Sequence, residues 1–228
     1  MEMVEMDTVE IKGKALSCVR EPYECAMNDN WESLKRFYKD DVMAVVGGMT
    51  TKNDTGLHVA GLAGRKDVLE FFISLIKSEH WILPRVLTME NNRGNTQLHE
   101  VAASGNLDAA KLLVEEGFHA FDGEVESSYA RSVLVEIKNH LGETPLYRAA
   151  AFGHTKLVQY LATQVGDDIE QHFQREVDRV SILHIAVLGQ HFGLCNDDNI
   201  DRDPANQNDD LESRQPSQST FLNKIMSN

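Results

Sequence analysis

The sequence predicts an all-α fold, a solenoid in which short helix-turn-helix units stack side by side, joined by long inter-repeat loops. Three observations predict it. A leucine followed by a histidine or tyrosine recurs in one register, at Leu57-His58, Leu98-His99, Leu146-Tyr147 and Leu183-His184. Two residues earlier each unit carries a hydroxyl side chain, Thr55, Thr96, Thr144 and Ser181. Seven residues after the leucine stand Gly64, Gly105 and Gly153, with Gln190 breaking the pattern.

The clearest unit runs from Asn91 to Gly117. Gly94 and Gly105 adopt positive φ cheaply, which suits a tight turn and the stop after a short helix. Thr96 is placed to cap the first helix, whose opening N–H groups have no partner within it. Val101, Ala102 and Ala103 let a neighbouring helix approach closely, and Leu107, Ala110, Leu112 and Leu113 give the second helix an apolar face. Such a pair cannot bury both faces alone and needs copies on either side.

In chain order, residues 1–19 read as a flexible lead-in and 20–195 as the repeat domain. The first unit, about 20–45, is worn: Tyr23 is read in the leucine slot, Asn30 in the glycine slot, and Leu34, Phe37 and Tyr38 on the second helix. The second spans about 50–80, with Val68, Leu69, Phe71, Phe72 and Leu75 on its second helix, and Asn53 in the turn-glycine position. A fourth unit covers about 139–166. A fifth opens at Ser181, but its second helix, with Phe192, Leu194 and Cys195, meets Asp197 and Asp198 in core positions and stops half built. Residues 196–228, rich in Asp, Asn, Gln and Ser, read as a disordered tail.

The run Glu143-Thr144-Pro145-Leu146-Tyr147-Arg148-Ala149-Ala150 resembles the ankyrin repeat, whose pattern of about 33 residues is centred on Thr-Pro-Leu-His. The leucines are spaced 41, 48 and 37 residues apart, so additions fall around 77–90 and 118–138. Phe118, Phe121 and Tyr129 make the second addition too apolar for a free loop, and part of it is expected to pack on the stack. These long connections, with the wording of 91–96 and 142–145, resemble the plant ankyrin proteins that end in a membrane-spanning PGG domain. That resemblance implies protein binding in signalling, stress or defence, in a family associated with membranes, by a chain that lacks the membrane domain. It also implies that the recurring histidine hydrogen-bonds to the neighbouring turn.

Composition excludes several classes. The net charge is −14, of which residues 1–10 and residues 196–228 contribute −4 each. No basic stripe suited to nucleic acid or to an anionic membrane surface is evident. The longest apolar runs fall short of a membrane helix, which argues against direct membrane insertion. The acidic start, Met1 to Glu10, is wrong for an export signal, and Glu2 excludes N-myristoylation. A cytoplasmic location is the expectation. Cys18, Cys25 and Cys195 are unpatterned and read as reduced thiols.

Nothing nominates a cofactor, a metal or a catalytic group. His58, His99 and His184 recur at one repeat position rather than clustering as zinc ligands do. The run Asp197 to Asp203 has Arg202 where a calcium loop needs glycine and Asn208 where it needs glutamate. Asn53-Asp54-Thr55 matches a glycosylation sequon but lacks an export signal, and Gly61 to Lys66 lacks the phosphate-loop spacing.

What remains is surface. By register, the residues facing a partner are Thr51, Lys52 and Asp54, then Asn92, Arg93, Asn95 and Ser104, then His140, Leu141, Glu143 and Phe152. Phe152 has two readings, as an exposed aromatic anchor or as packing against a neighbouring helix. The leading reading is a non-enzymatic module that binds another protein in its concave groove. One alternative is a shortened product of a longer ankyrin protein that self-associates through an uncapped end at Ile185, Val187 and Leu188. Another is an enzyme using Asp122, Glu124 and Glu126 of the 118–138 addition as acid–base groups.

Overall fold

A computed structural model describes residues 20–77, 82–121, 133–165 and 169–189. Among these residues the fold is all-α, with no sheet and a single isolated bridge between Gln174 and Ser181. Helical residues 20–27 (α1) precede α2 (Trp31–Asp40), followed by α3 (Gly56–Leu62), α4 (Lys66–Ile76), α5 (Leu83–Leu87), α6 (Gln97–Ser104) and α7 (Leu107–Phe121). Helical residues 133–136 (α8) lead into α9 (Pro145–Ala151), α10 (Thr155–Gln164) and α11 (Ile182–Leu188). Short 3₁₀ turns lie at Val42–Val46 and Ile169–His172.

The helices pack in two rows. The first helices touch in sequence, α3 on α6, α6 on α9 and α9 on α11. The second helices do the same, α2 on α4, α4 on α7 and α7 on α10. Small residues allow the first row to close: a Cβ at Gly61 would stand 3.1 Å from Val101 Cγ2 and 3.2 Å from the Gln97 carbonyl oxygen. The register leucines Leu57, Leu98 and Leu146 are buried, each contributing about 2 kcal/mol of hydrophobic stabilisation. Leu183, their counterpart in the last described unit, is half-buried.

The hydroxyl residues begin their helices as the sequence predicts, with Thr55, Thr96, Thr144 and Ser181 at the N-caps of α3, α6, α9 and α11. The first unit needs a correction of one residue. Asp29, not Asn30, takes the positive φ that Gly64 and Gly105 take elsewhere, and Asn30 caps α2 by accepting from the Ser33 N–H. Pro22 is accordingly the buried residue in the leucine slot, and Tyr23 is exposed. Tyr38 of α2 meets Phe72 of α4 edge to face, with ring centroids 4.8 Å apart.

Both additions contain packed structure. In the first, α5 starts with Pro84 at its opening turn and buries Leu83, Val86 and Leu87 against α7. Gln97 Nε2 ties it to the stack by donating to the Val86 carbonyl at 2.8 Å. In the second, α7 continues beyond Gly117, where a Cβ would collide with the Leu134 side chain, and Leu134 and Val135 are buried. Part of the 118–138 addition therefore packs on the stack. Among the described residues, no helix is long and apolar enough to cross a membrane. The lead-in, the second helix of the fifth unit, the acidic run from Asp197 and the tail lie outside the described residues, as do Cys18, Tyr129 and the side chain of Phe121.

Candidate functional site

The loops before α3, α6 and α9 are built by one local device. Thr50 Oγ1, Asn91 Oδ1 and Asn139 Oδ1 each accept from the backbone N–H groups two and four residues ahead. The distances run from 2.9 to 3.1 Å, the geometry of Asx and Ser/Thr turns. These loops, and the one before α11, then turn over a residue with positive φ, at Asn53 (60°), Gly94 (73°), Gly142 (75°) and Arg179 (60°). The anchors Thr50, Asn91 and Asn139 went unnoticed in the sequence. The signal for them is a short polar residue seven places before Leu57, Leu98 and Leu146; before Leu183 the position holds Glu176.

Successive tips are joined through their backbones. The Asn92 N–H donates to the Lys52 carbonyl at 2.8 Å, the His140 N–H to Arg93 at 3.0 Å, and the Val177 N–H to Leu141 at 3.3 Å. Four tips thus form one continuous edge.

Beneath this edge, histidines bridge the units. His58 Nδ1 accepts the Thr55 N–H at 3.2 Å, so its other nitrogen carries the proton and donates to the Asn95 carbonyl at 2.9 Å. His99 repeats this with Thr96 (3.1 Å) and the Glu143 carbonyl (3.0 Å). Burial pushes the His99 pKa down to about 3 and lowers that of His58 as well, so both stay neutral. In the next unit Tyr147 replaces the histidine. Its ring is buried, its hydroxyl finds no partner among the described residues, and burial pushes its pKa up to about 12. The implied contact of histidine with the neighbouring turn is present at His58 and His99. His184 Nδ1 stands 2.6 Å from the Ser181 hydroxyl of its own unit.

Two of the residues expected to face a partner are buried instead. Asn95 is 0% and Glu143 7% exposed. Asn95 Nδ2 donates to Glu100 Oε1 at 2.7 Å, and its Oδ1 accepts from Asn139 Nδ2 at 2.9 Å. Glu143 accepts from Asn139 (2.9 Å), Arg148 (3.4 Å) and Arg175 (3.3 Å). Asp54 is half-buried and bound to Thr50 (2.7 Å) and Asn91 (2.7 Å). Register alone places these side chains on the groove. Unpaired amides and carboxylates between stacked units are costly, so they turn inward and pair with each other.

The other expected residues are accessible. Thr51, Lys52, Asn92, Arg93 and His140 are exposed at the tips, Leu141 is 47% exposed, and Ser104 is half-buried with its hydroxyl on the Val101 carbonyl at 2.9 Å. Phe152 is 50% exposed, half open to solvent and half packed. Its ring is held in place: the Arg148 guanidinium lies 5.5 Å from its centroid, and the His154 ring is stacked at 6.5 Å with 7° between planes. His154 is anchored in turn by a 3.0 Å contact from Nε2 to the Ala103 carbonyl.

The family described as ankyrin repeats (many copies) matches residues 98–162. This part of the chain is an ankyrin-repeat region. It takes in α6, α7, α9 and α10, with the His99 bridge and the Phe152 platform. No curated protein matches the chain. Ankyrin repeats in general present a binding face to other proteins. Here exposed tips stand over a hydrogen-bonded polar layer. Asp122, Glu124 and Glu126, the acids expected of an enzymatic alternative, lie outside the described residues.

Proposed function

We propose that this protein is a non-enzymatic binding module that holds another protein along the edge formed by its turn tips and the exposed side of its first helices. The observation that carries the reading is Phe152, an aromatic side chain kept half exposed and clamped by Arg148 and His154 on a rigid helix pair. An ordered aromatic loses little side-chain entropy on binding, which is why such residues dominate interface energy. The acids and histidines beneath the edge, Asp54, Glu100, Glu143, His58 and His99, are all engaged in hydrogen bonds within the fold. That supports recognition over catalysis. The resemblance to plant ankyrin proteins supports a setting in signalling or defence.

The test is capture from a native extract, comparing wild type with a Leu141→Ala, Phe152→Ala double variant whose helicity is checked by circular dichroism. Loss of specific partners in the variant is the expected result. An unchanged partner set would reject the edge as the binding site.

Self-association is a second reading, favoured by α11, where Val187 is exposed and Leu188 is 75% exposed. Sedimentation over a wide concentration range tests it. A mass that rises with concentration in wild type and not in a Leu188→Glu variant supports it, and a constant monomer mass removes it.

A further inference from the structure

The tips carry a charge pattern opposite to that of the whole chain. Across the four tips, residues 51–53, 92–94, 140–142 and 177–179, the bases are Lys52, Arg93 and Arg179. All three are exposed, and among the described residues no ion pair involves them. The single acid on the tips, Asp178, is neutralised by Arg175, whose Nε donates to it at 2.9 Å. A chain of net charge −14 therefore presents an uncompensated basic row along its binding edge. The backbone bonds from Lys52 to Asn92, from Arg93 to His140 and from Leu141 to Val177 make that row continuous.

Beside its first member lies an apolar cleft of about 560 Å³. Arg20 and Lys52 line it with the half-buried Asp54, whose carboxylate is held by Thr50 and Asn91, and Tyr23, Met27 and Met49 supply its apolar wall, the first two exposed and the third buried. Methionine surfaces adapt to varied apolar side chains, so the cleft suits an anchor of loosely specified shape.

We propose that the edge takes an extended acidic segment of a partner protein, its carboxylates on Lys52, Arg93 and Arg179 and one apolar side chain in the cleft. This rests on the binding-module reading and adds the chemistry of the partner. Three spaced bases are too few to hold a nucleic-acid backbone against physiological salt. They are enough to select an acidic peptide and to repel a basic one.

The experiment measures fluorescence anisotropy of labelled twelve-residue peptides with the full chain. One probe alternates Glu with Leu and Phe, a second replaces every Glu with Gln, and a third replaces every Glu with Lys. The acidic probe is expected to bind at least about tenfold tighter than the Gln probe, and to lose that margin on a Lys52→Glu, Arg93→Glu, Arg179→Glu variant and in high salt. Equal binding of the acidic and Gln probes would overturn the assignment. So would tighter binding of a DNA oligonucleotide or of anionic phosphatidylserine vesicles. Self-association of the wild type that the triple variant abolishes would give the row to a second copy of this chain and also overturn it. Partner capture from extract that survives the triple variant but not the Leu141, Phe152 variant would reject the acidic ligand while leaving the binding-module reading intact.

Discussion

His99 Nε2 donates to the backbone carbonyl of Glu143 across 44 residues of sequence, at 3.0 Å. Each end of that bond is also held by its own unit. His99 closes the capping box of α6, and the Glu143 side chain joins Asn139, Arg148 and Arg175. One hydrogen bond thereby couples the start of one helix to the polar layer of the next unit.

This bond makes stability pH-dependent. Unfolded imidazole titrates near the ordinary 6.5, whereas burial holds folded His99 at about 3. Between those values the unfolded chain binds more protons, so the stability is complete above about pH 6.5 and falls as the pH drops, by about 1.4 kcal/mol per pH unit for one such group. His58 is lowered in the same direction and adds to the effect. Urea unfolding at pH 5 is expected to give a free energy at least about 2 kcal/mol below that at pH 7.5. Equal values at the two pH values would contradict a neutral buried His99.

Tyr147 is the weak copy of this device. It occupies the histidine position, but its buried hydroxyl has no partner among the described residues. Tyr147→Phe is therefore expected to leave stability unchanged or raise it by up to about 1 kcal/mol, since an unsatisfied buried hydroxyl is costly. Chemical denaturation decides the matter: a loss of more than about 1 kcal/mol would mean that the hydroxyl is bonded.

Glu143 carries the opposite expectation. It is buried and accepts from Asn139, Arg148 and Arg175, so Glu143→Ala removes all three bonds, leaving Arg148 with Glu100 and Arg175 with Asp178. A cost of about 2 kcal/mol is expected, with Glu143→Gln milder because it keeps a partner for Asn139. If the alanine variant loses less than about 1 kcal/mol in the same assay, solvent already screens the pair.

Two backbone substitutions should differ in sign. Gly105 closes α6 at φ 76°, and a Cβ there would run into the His154 imidazole. Gly105→Ala is expected to lower stability by about 2 kcal/mol. Arg179 sits at φ 60° without being glycine, so Arg179→Gly is expected to raise stability by up to about 1 kcal/mol. Thermal unfolding of the pair checks both, and shifts of the same sign would refute the account.

The repeat grammar was legible without coordinates. Thr55, Thr96, Thr144 and Ser181 cap helices and Asn53 takes the left-handed turn conformation, as their register predicts, and His58 and His99 reach the following turn, as the resemblance to ankyrin repeats implies. The caps and the turn are decided by a few neighbouring residues, and a pattern that recurs at one offset exposes them. Where the pattern is worn, as at Pro22 and Asp29, the offset slipped by one residue because no hydroxyl cap marks the helix start.

The sequence by itself determined the helix pairs, their caps, their turns and the order in which they stack, because those follow from backbone capping and apolar periodicity over ten or so residues. Only the tertiary structure decided which polar side chains face a partner. Asn95 and Glu143 turned inward because their partners, Asn139 and Arg175, come from the next unit, separated by insertions whose packing no local pattern encodes. Phe152 stayed outside, held by Arg148 and His154. Lys52, Arg93 and Arg179, scattered through an acidic chain, became one basic edge because stacking brings equivalent tips of successive units side by side.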